Sequence, residues 1–252
     1  DHRDLHSFPT RRSSDLRYEQ ALRDYVGGMM NRQRSTPFLE DIQAFIDAQL
    51  DAGLLNALAQ QVLKLTSPGV PDIYQGTEFW DDSLVDPDNR RHPDFDARVE
   101  AVSHLGDGDV AEMVASKRDG RIKLFVTGTL LNFRRDQRDL FARGEYVALK
   151  TEGGAAEHVV AYLRTTETAK ILVVTPRLTH KLAQSKGSTV DDRAIWLGTT
   201  LSLPENVAGE MWTDLFTGET FEGEPGDVGQ LFATMPVAVL VSVGERENET
   251  HA

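Results

Sequence analysis

The sequence predicts an α/β segment followed by an all-β domain, and three observations support this. Residues 17–66 are patterned at helical spacing, with apolar side chains at threes and fours. Residues 70–74 then form a short apolar run bracketed by Gly69 and Gly76 and followed by a long polar loop. After Gly144 the pattern changes to short runs rich in Val and aromatics, separated by Gly, Asn and Asp. Strands gathered after helices argue for a separate β domain, with a boundary near 142–145.

The elements follow in order. Residues 17–30 read as a short helix carrying Tyr18, Leu22, Tyr25 and Val26 on one face. Thr36 is an N-cap candidate with Pro37 at the first helical position. Phe38, Leu39, Ile42, Phe45, Ile46 and Leu50 make the next apolar face, Asp51–Gly53 is expected to break the run, and a further helix covers Leu54–Thr66 until "SPG" stops it. Val70–Tyr74 is too short for a helix and reads as a buried strand. Residues 96–119 read as helical segments joined by Gly-Asp turns, and Ile122–Phe133 as a helix with a poor centre at Thr127–Thr129. The β-type runs are "EYVALK" (145–150), "EHVVAYLR" (157–164), "KILVVTPR" (170–177), "MWTDLFTG" (211–218) and "PVAVLVSV" (236–243), with "TGET" (217–220) as a hairpin turn.

The chain has 252 residues, 40% of them hydrophobic, enough to support a packed core. A net charge of −13 argues against a nucleic-acid partner, which needs a basic face. Ten carboxylates and one base, Arg246, lie between Glu205 and Glu249, as on a solvated acidic surface. Apolar runs fall far short of the ~20 residues a membrane-crossing helix needs, and no signal-peptide pattern opens the chain. There is no cysteine, which excludes disulfides and thiolate metal sites and fits a cytoplasmic location. Residues 6–16, "HSFPTRRSSDL", match the conceptual translation of a common sequencing adapter, so residues 1–16 are expected to be an artefactual or disordered tail, and a true N-terminal part is expected to be missing.

The chemistry concentrates in one loop: Tyr74, Gln75, Glu78, Trp80, Asp81, Asp82, Asp86, Asp88, Asn89, Arg90 and Arg91. Groups that donate and accept in pairs suit a polyhydroxylated ligand, and an aromatic ring suits the apolar face of a pyranose. Two carboxylates at the right separation can perform acid/base work on a glycosidic bond. The same residues suit an Arg–Asp network that pins a long loop, the reading composition alone favours, and spacing does not separate the two. Asp86, Asp88 and Asn89 offer hard oxygens, but not in an EF-hand pattern. His92 and His104 lack zinc spacing, and His158 falls in a β run, so no metal or cofactor is expected. Trp196 and Trp212 could pack in the β-domain core or form an exposed glucan platform.

Residues 62–95, "VLKLTSPGVPDIYQGTEFWDDSLVDPDNRRHPDF", resemble a string near the C-terminal end of the maltooligosyltrehalose synthase family, within the alpha-amylase superfamily. The resemblance continues through "RRDQRDLFARGEYVAL" (134–149), "ILVVTPRL" (171–178), "WTDLFTGE" (212–219) and "MPVAVL" (235–240), and covers residues 17 to about 243. It implies that 17–143 is the C-terminal part of a (β/α)8 catalytic barrel with "PGVPDIYQG" as its eighth strand, and that 144–252 is an antiparallel, β-sandwich-like domain. It also implies a maltooligosaccharide substrate, whose reducing-end α-1,4 linkage becomes an α,α-1,1 linkage through a glycosyl-enzyme. Tyr74, Gln75, Glu78, Asp86, Asp88, Asn89, Arg90 and Arg91 are then the expected substrate-binding residues. The superfamily's catalytic carboxylates lie on earlier strands and match nothing here, so no catalytic residue is assigned. Phe79 and His92 stand where Leu and Pro are expected. Rival readings are another superfamily hydrolase or glucanotransferase, or a glucan-binding module. A barrel cut short would leave strand 70–74 without neighbours and helices 38–50 and 54–66 with exposed apolar faces.

Overall fold

The computed structural model describes residues 16–84, 90–104, 109–207, 209–223 and 226–243. The chain divides into two compact units, Asp1–Leu50 and Asp51–Ala252.

In the first unit, α1 (Leu16–Met29) opens on the last residue of the adapter-like stretch. Helix α2 (Thr36–Thr66) begins in this unit and runs past Leu50 into the second as one continuous element of 31 residues, not the two helices expected. Gly53 costs only about 1 kcal/mol relative to alanine in a helix interior, and the apolar residues on both sides of it favour continuing the hydrogen-bond ladder. Thr36 is the first helical residue, and its hydroxyl donates to the Arg32 carbonyl. Leu22, Tyr25, Val26, Ile42, Phe45 and Ile46 are exposed, Phe45 to 67%. The apolar face expected on residues 38–50 is therefore exposed, whereas the one expected on 54–66 is not, because Leu55, Leu58, Val62 and Leu65 are buried in the core; no residue of α1 is buried.

The second unit is built on a six-stranded sheet in the order β1-β3-β4-β8-β6-β7. Its strands are β1 (Glu145–Ala148), β3 (Val159–Thr165), β4 (Ala169–Pro176), β6 (Met211–Asp214), β7 (Thr220–Glu222) and β8 (Ala238–Val243), all paired antiparallel. Val, Ile and Leu alternate along β4, so Ile171 and Val173 enter one core and Leu172 and Val174 another. Each such side chain, when fully buried, stabilises the fold by about 1.5–3 kcal/mol.

Helical residues cover the first face: the end of α2, α4 (Val110–Ala115), α5 (Arg121–Asp136) and α6 (Arg138–Arg143) contribute Leu58, Val62, Leu65, Met113, Ile122, Val126, Leu130 and Leu140. Helix α3 (Phe95–Ser103) buries no residue. The second face is covered by a small sheet of β2 (Lys150–Glu152) and β5 (Thr200–Ser202) with α7 (Thr179–Lys186), α8 (Val228–Leu231) and a 3-10 turn at Arg193–Trp196. The expected sandwich is thus a central antiparallel sheet between a helical layer and a layer of short elements. "EYVALK" is split between the two sheets after Ala148. The "TGET" turn joins β6 to β7, with Gly218 at φ 73.

Val70–Tyr74 corrects the expected buried strand. It joins no sheet among the described residues, and Val70 is 97% exposed. A strand needs a ladder partner on at least one side, and here only Ile73 packs against the core. Trp196 and Trp212 are 3% and 0% exposed, so neither ring is a surface platform. No helix among the described residues is long and apolar enough to cross a membrane.

Candidate functional site

The loop after α2 is held at both ends by arginines. At its start, Arg134 on α5 donates from Nη1 to the Leu65 carbonyl at 2.7 Å and from Nη2 to the Gly69 carbonyl at 3.1 Å. Arg164 on β3 donates to the Thr66 carbonyl at 3.2 Å, and the Thr66 and Tyr162 hydroxyls lie 2.6 Å apart. Carbonyls at the end of a helix have no partner within it and carry partial negative charge, so cations belong there.

At its far end the chain turns at Gly76, whose φ of 93 suits glycine alone. The Tyr74 carbonyl accepts from the Thr77 amide at 3.1 Å and the Thr77 hydroxyl at 2.7 Å. Glu78 Oε2 accepts from the Gly76 amide at 3.0 Å and from Arg98 Nε at 2.8 Å. Burial would push the Glu78 carboxyl up, but the Arg98 hydrogen bond and charge, with its own and the Gly76 backbone N–H groups, hold it below the usual value. Arg98 also donates to the Gly76 carbonyl at 2.6 Å and the Asp94 carbonyl at 2.8 Å.

Trp80 Nε1 donates to the Lys117 carbonyl at 2.7 Å, and Lys123 Nζ donates to the Phe79 carbonyl at 3.0 Å. Burial, and then the neighbouring Lys64, depress the Lys123 ammonium. Asp81 accepts from the Ser83 amide and hydroxyl at 2.9 and 2.6 Å, which lowers its carboxyl.

Beside these contacts lies an open cavity of about 260 Å³ lined by Gln75, Trp80, Asp81, Arg91, His92 and Arg98, among others. It offers an amide, a carboxylate, two guanidiniums and an indole wall. A larger cavity of about 480 Å³ shares Trp80, but Leu54, Leu55, Leu58, Ile122, Trp196 and Phe232 make it mainly apolar. The smaller one has the paired donors and acceptors that hydroxyl groups require.

Of the eight expected site residues, Gln75 and Arg91 line this cavity. Glu78 braces the turn beneath it, and Tyr74, 47% exposed, contributes to the turn through its carbonyl. Arg90 is described but is not among the lining residues. Asp86, Asp88 and Asn89 lie outside the described residues. Arg98 was missed, because in "DFDARVEAV" it reads as an ordinary solvent-facing helix residue. Among the described residues no group of three or more His, Asp or Glu side chains could hold a metal ion.

No protein-family model matches the chain. A Mycobacterium tuberculosis protein provisionally named a maltooligosyl trehalose synthase is 35% identical over 239 residues, covering 88% of this chain. By sequence, this chain is similar to part of a maltooligosyltrehalose synthase. The solved maltooligosyltrehalose synthase of Arthrobacter ramosus superposes with a TM-score of 0.69 at 32% identity over 90% of this chain. A further solved maltooligosyl trehalose synthase gives 0.64 at 28% identity. The chain spans 27% of the length of the Mycobacterium tuberculosis relative, and 27% of the Arthrobacter ramosus synthase.

Proposed function

We propose that this chain supplies the sugar-handling rim of a maltooligosyltrehalose synthase, an enzyme that converts the reducing-end α-1,4 linkage of a maltooligosaccharide into an α,α-1,1 linkage. The observation that carries the reading is that residues 62–95, the stretch on which the family resemblance was first read, contain every residue lining the polar cavity except Arg98. Its volume, about 260 Å³, lies below the ~300–1,000 Å³ typical of drug-sized ligands, which suits one pyranose ring.

Gln75 can donate to one hydroxyl and accept from another, Arg91 can donate to two oxygens of one ring, and Asp81 can accept. Asp86, Asp88, Asn89 and Arg90 are assigned sugar contacts by the family resemblance alone, while Tyr74 and Glu78 keep the turn beside the cavity in shape. Val70–Tyr74 becomes a paired barrel strand when the rest of the protein is present. The nucleophile and the acid/base carboxylates lie outside these 252 residues, and the rim holds the released glucose so that its anomeric hydroxyl, rather than water, attacks the glycosyl-enzyme.

The test is the full-length parent protein with maltopentaose. Loss of reducing ends without release of glucose is expected, and a rise in reducing sugar would establish a hydrolase and overturn the reading. The 252-residue chain alone is expected to be inactive.

A further inference from the structure

We infer, on the strength of that functional reading, that Arg98 is a positioning residue of the sugar site: it ties the Gly76–Glu78 turn to Asp94 at the start of α3 and so sets where Gln75 and Arg91 stand. One guanidinium meets three acceptors, two on the turn and one at Asp94. Nε and Nη2 hold Glu78 and the Gly76 carbonyl, at 2.8 and 2.6 Å, and Nη1 holds the Asp94 carbonyl at 2.8 Å. Its flat face lies 5.0 Å from the centre of the Phe79 ring. The side chain is only 15% exposed.

Both ends are themselves anchored, so the clamp acts on stiff pieces. The Gly76 amide donates to the Glu78 carboxylate that Arg98 holds. Asp94 caps α3 by accepting from the Ala97 amide at 3.0 Å. Gln75 directly precedes the clamped Gly76, and Arg91 lies three residues before the clamped Asp94. Loss of the clamp therefore lets both drift while leaving the core of the sheet untouched.

The demand is for a planar fork, not for charge alone. A lysine ammonium has three donors but no fixed plane and a shorter reach across acceptors on different sides. Arg98→Lys preserves the charge beside Glu78 and loses the shared geometry.

The experiment compares Arg98→Lys and Arg98→Ala with Arg135→Ala, an exposed arginine paired with its neighbour Asp136, in the full-length parent protein. Turnover and calorimetric binding of maltopentaose are measured alongside Tm. Arg98→Lys is expected to raise KM and the dissociation constant about tenfold, with kcat within about threefold, because misplaced binding groups weaken ground state and transition state alike. Its Tm is expected within about 4 °C of wild type. Arg98→Ala should match or exceed that KM, and Arg135→Ala should change nothing.

An Arg98→Lys protein with wild-type KM and wild-type affinity overturns the inference, as does a KM that rises only in Arg98→Ala and only with a lower Tm. A wild-type protein that neither binds nor converts maltopentaose defeats the functional reading, and this inference with it. A wild type that binds normally beside an unaffected Arg98→Lys defeats the inference alone.

Discussion

Arg164→Met is the perturbation whose size the structure sets most directly. Arg164 is 2% exposed and makes no ion pair with a carboxylate among the described residues. Its guanidinium instead donates to four backbone carbonyls: Thr66 at 3.2 Å, Leu140 at 3.1 Å, Phe141 at 3.3 Å, and Gly144 at 3.1 and 3.3 Å. Thr66 ends α2, Leu140 and Phe141 lie in the last turn of α6, and Gly144 is the residue at which that helix stops.

Methionine keeps most of the apolar stem and removes every donor. Leu140 still accepts from the Gly144 amide at 3.0 Å, so Thr66, Phe141 and Gly144 are the carbonyls left in need. An unsatisfied buried acceptor costs about 1–3 kcal/mol. Removing a buried charge that lacks a counter-ion returns part of that, since burial of a lone charge is itself unfavourable. The net loss should be about 2–4 kcal/mol, read as a lower urea midpoint at unchanged m-value. Arg164→Lys should fall between. A loss under about 1 kcal/mol for Arg164→Met would refute the reasoning, because the carbonyls would then not depend on the guanidinium.

Two other substitutions test separate features. Asp214 caps the β6–β7 turn, accepting from the Phe216 and Thr217 amides at 2.8 and 2.9 Å, and burial pushes its carboxyl from 3.8 up to about 6. The folded state therefore keeps a proton that the unfolded chain releases, and stability falls as pH rises between about 4 and 6, by about 3 kcal/mol in full. Asp214→Asn keeps an acceptor without the charge; its Tm relative to wild type should rise from pH 4 to pH 7, and a flat difference across that range would refute the assignment. Gly120 has φ 85, and an added Cβ would meet the Trp80 amide nitrogen at 3.2 Å and Phe79 Cβ at 3.3 Å. Gly120→Ala should cost about 1–3 kcal/mol and speed hydrogen exchange at Trp80; unchanged exchange would show that Gly120 does not support the loop.

Much of the fold was legible because its signals are local. The threes and fours in α2 and the alternation in β4 and β8 are properties of neighbouring residues, and Gly218 marked its own hairpin. The misread features depend on distant partners. Nothing near Asp51–Gly53 reveals that the helix runs through, since one glycine is a weak breaker beside so many apolar neighbours. Val70–Tyr74 has a strand's composition but lacks a ladder partner among the described residues. Short elements such as α7 and β5 have too few residues to show a period. In the site, the loop's composition pointed to Gln75, Glu78 and Arg91. It could not point to Arg98, because a clamp joining residues 20 apart leaves no mark on the spacing of either.

The three arginines share one physical task, which explains how an unpaired segment keeps a defined shape. Backbone carbonyls outside a helix or ladder must find other donors, and Gly69 and Gly76, with φ of 125 and 93, turn the chain out of any regular ladder. Arg134 binds the carbonyl of the first glycine and Arg98 that of the second. Arg164 fixes the helix end from which the segment leaves. Guanidinium groups suit this because their donors are coplanar and rigid and their positive charge matches the carbonyl dipoles. The segment is thus held at both ends, with Ile73 packed against the core between them, and the residues that line the cavity begin where the second clamp takes hold. Its edges remain open to strand neighbours while the turn that carries Gln75 is already in place.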